Sequence, residues 1–250
     1  MIDRSVSDAL TFVKNVFGEQ THYNPIDLCE FLDISLVLDK ALNKDGYLVC
    51  NNGNKIIFVS SNIKNTHRQK FIIAHELGHF LMHRDNLYSC DNISALSSIK
   101  MNSSTQEREA NTFSTQLLMP DNILLSRIPN KTLHFEDIIS IASFFDVSIT
   151  HAALKSIENS KTENEILLCY SANKLKWCVA PNQEHIQNLL STDCPIDLST
   201  VSKKINVYGV WDSLFEGSVC QEVFLPTTND ALVLLSGKRV ESDYDKFLTW

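Results

Sequence analysis

The sequence predicts an α+β protein: a mainly helical domain with a small β-hairpin (residues 1–130), a helical hairpin (131–160), and a smaller mixed α/β or mostly β domain (161–250). Three patterns predict it. Apolar residues recur at helical spacing through much of the first 160 residues. Two short apolar runs flank Asn51-Asn52-Gly53-Asn54, a sequence suited to a tight hairpin turn. After the polar run Glu158–Asn164, short strand-like segments replace the helical period.

An opening helix over about residues 5–17 carries Val6, Leu10, Val13 and Phe17 near helical period. A second begins at Pro25, whose fixed φ suits a first helical turn, and continues through Leu28, Phe31 and Leu32. Tyr47–Cys50 and Lys55–Val59 form the hairpin strands. A long apolar helix follows, with Phe71-Ile72-Ile73-Ala74 and Phe80-Leu81-Met82 free of proline and Thr66 and Gln69 as a capping box at its start. Residues 86–105, rich in Ser and Asn, read as a loop. Gln106–Met119 is a helix stopped by Pro120, striped by Ala110, Phe113 and Leu117. Between Leu133 and Ile157, apolar residues from Ile138 to Phe145 and from Val147 to Ala153 describe two helices joined by a tight turn. Past the boundary, Ile166–Tyr170, Leu175–Val179, Ile205–Val210 and Ala231–Leu235 read as strands and Glu184–Leu190 as a helix. That last region holds no metal-ligand spacing, nucleophile pair or phosphate loop.

Within the long helix, His75-Glu76-Leu77-Gly78-His79 puts two imidazoles four residues apart on one face, with a carboxylate beside them. Nitrogens at that spacing share one Zn²⁺, and Glu76, facing the open coordination position, is placed to take a proton from bound water. The reaction class implied is peptide-bond hydrolysis. Gly78 lets a neighbouring element come close. Two histidines are an incomplete ligand set, so a third donor must come from elsewhere in the chain. Glu107 shares a helix face with Ala110, Asn111 and Ser114, whose short side chains permit close approach, and is the favoured ligand. Glu109 groups with the bulkier Thr112, Phe113 and Gln116 and is the alternative ligand. His83, one turn beyond His79, is open to a supporting or oxyanion-binding role, although contact with the helix C-terminal carbonyls explains it as well. Tyr88 is a further oxyanion candidate, with a plain surface tyrosine as the alternative. Ile56–Ser60 is the candidate edge strand for holding an extended substrate, and a scaffold role accounts for it equally.

The pairing of this His-Glu-Leu-Gly-His helix with Glu107-Arg108-Glu109-Ala110-Asn111-x-Phe113 and Leu117-Leu118-Met119-Pro120 resembles the ImmA/IrrE family of metallopeptidases. The resemblance covers about residues 5–155 and takes in Pro25, Gly46-Tyr47 before the hairpin, and Phe145-Asp146-Val147-Ser148. It implies a zincin-like catalytic domain, one Zn²⁺ (with Mn²⁺ able to substitute in vitro) on His75, His79 and Glu107, and Glu76 as general base. It also implies site-specific cleavage of a helix-turn-helix transcriptional repressor or antitoxin, derepressing mobile-element or stress-response genes. Ser114 departs from the family's usual alanine. By analogy with members that have an extra C-terminal domain, residues 161–250 would sense a signal or select the substrate.

Composition narrows the classes. A formal charge of −8 over 250 residues argues against electrostatically driven binding to nucleic acid, and suits a basic protein partner. The helix pair in 133–157 has a helix-turn-helix outline, but Glu136, Asp137, Asp146 and Glu158 outnumber Lys131 and Lys155, so packing or partner docking is expected of it rather than DNA reading. The first residues show no apolar signal region, and no stretch nears the run of about eighteen apolar residues needed to cross a bilayer. Seven cysteines, an odd number without a Cys-x-x-Cys pair, suit a reducing, cytoplasmic setting. Two rival functions fit the same residues: a non-catalytic module that captures a repressor or antitoxin, and the protease toxin of a toxin–antitoxin pair. Against the first stands Glu76, since a purely structural zinc site closes its fourth position and needs no spare carboxylate.

Overall fold

A computed structural model of the chain describes residues 4–51, 53–83, 105–162, 164–172, 174–181, 205–207, 214–225 and 230–239. Nearly all of the expected 86–105 loop, with Tyr88, and the expected helix Glu184–Leu190 lie outside the described residues. The elements are α1 (Arg4–Phe17), α2 (Pro25–Phe31), β1 (Ser35–Asp39), β2 (Gly46–Asn51), β3 (Asn54–Ser60), α3 (Thr66–Met82), α4 (Thr105–Leu118), α5 (Asp121–Arg127), α6 (Phe135–Phe145), α7 (Ile149–Glu158), β4 (Glu165–Ser171), β5 (Lys174–Val179), β6 (Ile205–Val207), β7 (Phe215–Phe224) and β8 (Asp230–Arg239). Together they make an α+β chain. It divides into two compact units, one reaching Leu124 and including Phe144–Ser148, the other formed by Leu125–Ser143 and the chain from Ile149 onward.

In the first unit, α1 buries Val6, Ala9 and Val13. Asn24 caps α2, its side chain accepting from the Ile26 amide while Pro25 occupies the first turn. The sheet has the order β1-β3-β2, with β1 parallel and β2 antiparallel to β3. β1 was not anticipated, because Leu36, Val37 and Leu38 are all exposed and three successive apolar residues offer no alternation to read. By pairing with Ile56–Ser60, that extra strand also makes β3 central, so the expected edge strand is not an edge. The edges among the described strands are β1 and β2.

The cap of α3 also sits one residue earlier than expected: Asn65 Oδ1 accepts from the Arg68 amide at 3.1 Å, and Gln69 donates to the Ile63 carbonyl instead of closing a box with Thr66. From Phe71 to Phe80 every residue of α3 is buried. At Gly78 an added Cβ would stand 3.1 Å from Phe113 Cδ1 and 3.2 Å from Ala110 Cα. The glycine is therefore what lets the α4 backbone reach α3. Pro120 stops α4 as expected, but α5 starts directly after it, with Gln116 bonded to both the amide and the carboxylate of Asp121. Seven residues with one buried apolar side chain, Leu124, give too little period to read from sequence. The turn at Phe144–Ser148 is fixed to α3 through Asp146, a positive-φ residue whose carboxylate accepts from His67 and Lys70.

The second unit holds α7, most of α6, and a five-stranded antiparallel sheet of order β5-β4-β8-β7-β6. The chain turns by 113° between α6 and α7. Ile166, Leu167, Leu168, Leu232, Val233, Leu234 and Leu235 are all fully buried, so β4 and β8 are covered on both faces and read as continuous apolar runs. β7 escaped the sequence reading because Gly217, at φ +77°, and the register shift between Glu216 and Cys220 break its alternation. Of the Ile205–Val210 strand, the described part ends at Val207. Two buried carboxylates tie this sheet to the segment entering α6. Glu165 accepts from the Leu133 amide, Ser160 Oγ and Thr162 Oγ1, and Glu222 accepts from the Phe135 amide and bonds His134 Nδ1. Among the described residues Cys29, Cys50, Cys169, Cys178 and Cys220 are free thiols, and no single helix is long and apolar enough to cross a membrane.

Candidate metal centre

α3 and α4 meet where their backbones are closest, and the site lies at that meeting. His75 is fully buried and His79 nearly so, one turn apart on the face of α3 that looks at α4. From the first turn of α4, Glu107 reaches both: Oε2 lies 3.3 Å from His75 Nε2 and Oε1 lies 3.3 Å from His79 Nε2. The two Nε2 atoms are 3.0 Å apart. Tetrahedral zinc with bonds of about 2.0–2.1 Å separates neighbouring ligand atoms by about 3.3 Å, and the two nitrogens and the carboxylate, each of whose oxygens meets one histidine, lie near that spacing. Among the described residues this is the group of His, Cys, Asp and Glu side chains with ligand atoms close enough to hold a metal ion. Burial would by itself raise the pKa of Glu107, but the hydrogen bonds and charges of His75 and His79 outweigh that and hold the carboxyl well below the usual range. It is therefore an anion across the physiological range, as a ligand must be.

Glu76 is fully buried, and neither carboxylate oxygen has a hydrogen-bond partner. Burial pushes its pKa up to about 7, with Glu107 adding to the rise, while His79, the Leu48 amide and Lys44 pull the other way. β2 runs beside this carboxylate: a Cβ added at Gly46 would lie 3.9 Å from Glu76 Oε1 and 2.4 Å from Ile72 Cγ2. An unpartnered buried carboxyl is costly in a native protein unless something absent from the fold's own interactions uses it. Next to a ligand face, it is the arrangement that proton transfer to and from a water requires.

Around the ligands the structure assigns partners that spacing alone did not. His75 Nδ1 lies 2.9 Å from Asn111 Oδ1, and His79 Nδ1 lies 3.2 Å from His83 Nδ1. Glu109, the alternative ligand, is drawn away from the imidazole pair. Its Oε2 lies 2.7 Å from His83 Nε2, and its Oε1 accepts from Ser5 Oγ at 2.9 Å. The His83 side chain therefore does not serve the helix carbonyls; its backbone amide does, bonding the His79 carbonyl. Asn111 was legible as a neighbour of Glu107 on α4, whereas nothing in the sequence marked Ser5.

The fold and this cluster define the class, an α+β protein with a His-His-Glu centre of the metallopeptidase kind. Sequence comparison agrees, with residues 29–155 matching the IrrE N-terminal-like domain. The chain belongs to the ImmA/IrrE family of metallopeptidases. It is 26% identical over 118 residues to Metallopeptidase ImmA of Bacillus subtilis (strain 168), a match covering 47% of this chain and 66% of that protein, just under two thirds of the relative's length. In structure it is similar to a Mycobacterium tuberculosis transcriptional regulator, with a TM-score of 0.57 over 94% of this chain and 77% of that one. At 15% identity the likeness concerns the fold.

Proposed function

We propose that the protein is a zinc-dependent endopeptidase with a zincin-like catalytic domain, which cuts a helix-turn-helix repressor or antitoxin at a single site in the cytoplasm. One observation carries the reading: the buried, unpartnered Glu76 carboxyl stands beside three convergent ligand atoms. His75, His79 and Glu107 would hold the cation. When bound, zinc supplies a Lewis acid that makes its water acidic near neutral pH and polarises the scissile carbonyl. Glu76 would accept a proton from a water held there and pass it to the leaving nitrogen. Burial raises the Glu76 pKa and a bound cation would lower it again, so a carboxyl at this place can both accept and return a proton. β2, an edge strand flanking Glu76, takes over the substrate-holding role expected of Ile56–Ser60, pairing with an extended segment by main-chain hydrogen bonds.

The choice of substrate rests on family membership and on the formal charge of −8, which favours a basic, DNA-binding partner. Residues 161–250 are assigned the sensing of a signal or the selection of that partner. The test is a survey of new protein N-termini in cells expressing wild type or Glu76→Gln with a neighbouring repressor co-expressed. A single cut in the repressor, present only with wild type, is expected. Identical N-termini in the two strains, with both proteins loaded with zinc, would overturn the reading.

A further inference from the structure

We propose that His83, Glu109 and Ser5 form a positioning relay that locks His79 in its metal-binding tautomer, and that α1 is thereby part of the metal centre. The inference rests on the reading of His75, His79 and Glu107 as ligands. The links are short and mostly shielded from water: 3.2 Å from His79 Nδ1 to His83 Nδ1, 2.7 Å from His83 Nε2 to Glu109 Oε2, and 2.9 Å from Ser5 Oγ to Glu109 Oε1. The His83 and Glu109 side chains retain only 7% and 15% of their exposure.

Proton bookkeeping allows one polarity through the chain. His79 turns Nε2 towards His75 and Glu107, so as a ligand it keeps that lone pair free and carries its proton on Nδ1. That proton is donated to His83 Nδ1, which must then be bare, placing the His83 proton on Nε2. His83 Nε2–H donates to Glu109 Oε2, and the second oxygen of Glu109 accepts from the Ser5 hydroxyl. The Glu109 carboxylate, on which the His83 and Ser5 donors converge, makes both of those links charge-assisted. Ligand imidazoles are commonly oriented by an acceptor on the other ring nitrogen, which also raises their basicity. His75 has a single such acceptor, Asn111 Oδ1, whereas His79 has a chain crossing three helices.

The last member brings a third helix to the metal centre. Ser5 lies in α1, before the region 29–155 matched by the family domain. An ordinary bracing pair between His83 and Glu109 would explain their contact alone. It would not run a donor-to-acceptor sequence from a metal ligand through His83 to a carboxylate that Ser5 anchors from its other oxygen.

The experiment measures zinc affinity by chelator competition for Glu109→Ala, Glu109→Gln, His83→Ala, Ser5→Ala and, as control, Glu107→Ala. Co²⁺ absorption and unfolding of the metal-free proteins are followed in parallel. Glu109→Ala and His83→Ala are expected to weaken zinc binding by roughly 10–100-fold and to alter the Co²⁺ bands. Glu109→Gln, which keeps an oxygen acceptor for His83 Nε2–H, recovers most of the affinity, and Ser5→Ala costs less than Glu109→Ala. Nitrogen chemical shifts of the zinc-loaded wild type need no variant to fold: they are expected to show His79 protonated on Nδ1 and His83 on Nε2. His83 protonated on Nδ1 would overturn the relay. So would Glu109→Ala binding zinc within twofold of wild type while Glu107→Ala loses it, leaving the metal centre standing without the relay. Unchanged affinity in Glu107→Ala as well would remove the metal centre, and this inference with it.

Discussion

Glu76→Gln should do more than stop cleavage: it should stabilise the metal-free protein, by an amount set by pH. In the fold the Glu76 carboxyl is raised from 4.5 to about 7, chiefly by burial. The folded state therefore binds this proton more tightly than the unfolded chain does. Between those two values the native protein holds more protons than the unfolded one, so stability falls as pH rises. The favourable contribution of the neutral carboxyl is whole below about pH 4.5 and gone above about pH 7. A difference of about 2.5 pKa units at 1.36 kcal/mol each gives a loss of about 3 kcal/mol. Glutamine cannot ionise and escapes that loss. Denaturant unfolding of the two metal-free proteins from about pH 4 to about pH 8.5 should show the variant gaining about 3 kcal/mol on wild type across the range, with other titrating groups common to both. Zinc should shrink the gap, since a cation beside Glu76 offsets the cost of ionising it. A stability difference that stays constant across pH in the metal-free proteins would refute the reasoning, because Glu76 would then titrate alike in both states.

Chelation should abolish repressor cleavage, zinc should restore it and manganese should restore it in part, read by product formation on gels. Activity should fall on acidification as Glu76 takes up its proton; the kcat/KM profile of the zinc form should show an acid limb below about pH 7, because the cation favours the carboxylate over its metal-free state. Gly78→Ala adds a methyl 3.2 Å from Ala110 Cα, backbone that cannot step aside, so despite a helix-propensity gain of about 1 kcal/mol it should destabilise the fold by a net 1–2 kcal/mol or about that, and weaken zinc binding. Glu165→Ala strands the buried Leu133 amide and should cost about 2–3 kcal/mol in unfolding experiments without changing zinc affinity.

What the sequence disclosed depended on how local the cause was. The spacing of His75 and His79 is a property of one helix, and the preference for Glu107 over Glu109 followed from the short side chains of Ala110, Asn111 and Ser114 on the same face of α4. Both needed only helical geometry, and one donor atom from each of His75, His79 and Glu107 lies within 4.8 Å of the others. β1 and the relay had no local cause. β1 exists because β3 offers it a partner, and its exposed Leu36, Val37 and Leu38 carry no period that would announce a strand. That single strand also decides which edge lies beside Glu76: by occupying one side of β3, it leaves β2 as the edge next to that carboxyl among the described strands. The sequence leaves His83 between two roles for a related reason. One turn from the helix end, a histidine has two competing partners, the free carbonyls and whatever packs alongside, and only the arrival of Glu109 from α4 and Ser5 from α1 decides between them. A motif fixes which atoms can meet a metal; the helices around it fix which proton each of those atoms carries. The second requirement is as strict as the first, because a histidine protonated on Nε2 offers no lone pair there. Substitutions at Glu109, or at Ser5 on a helix remote in sequence from the metal ligands, should therefore register at the metal before they register in the fold.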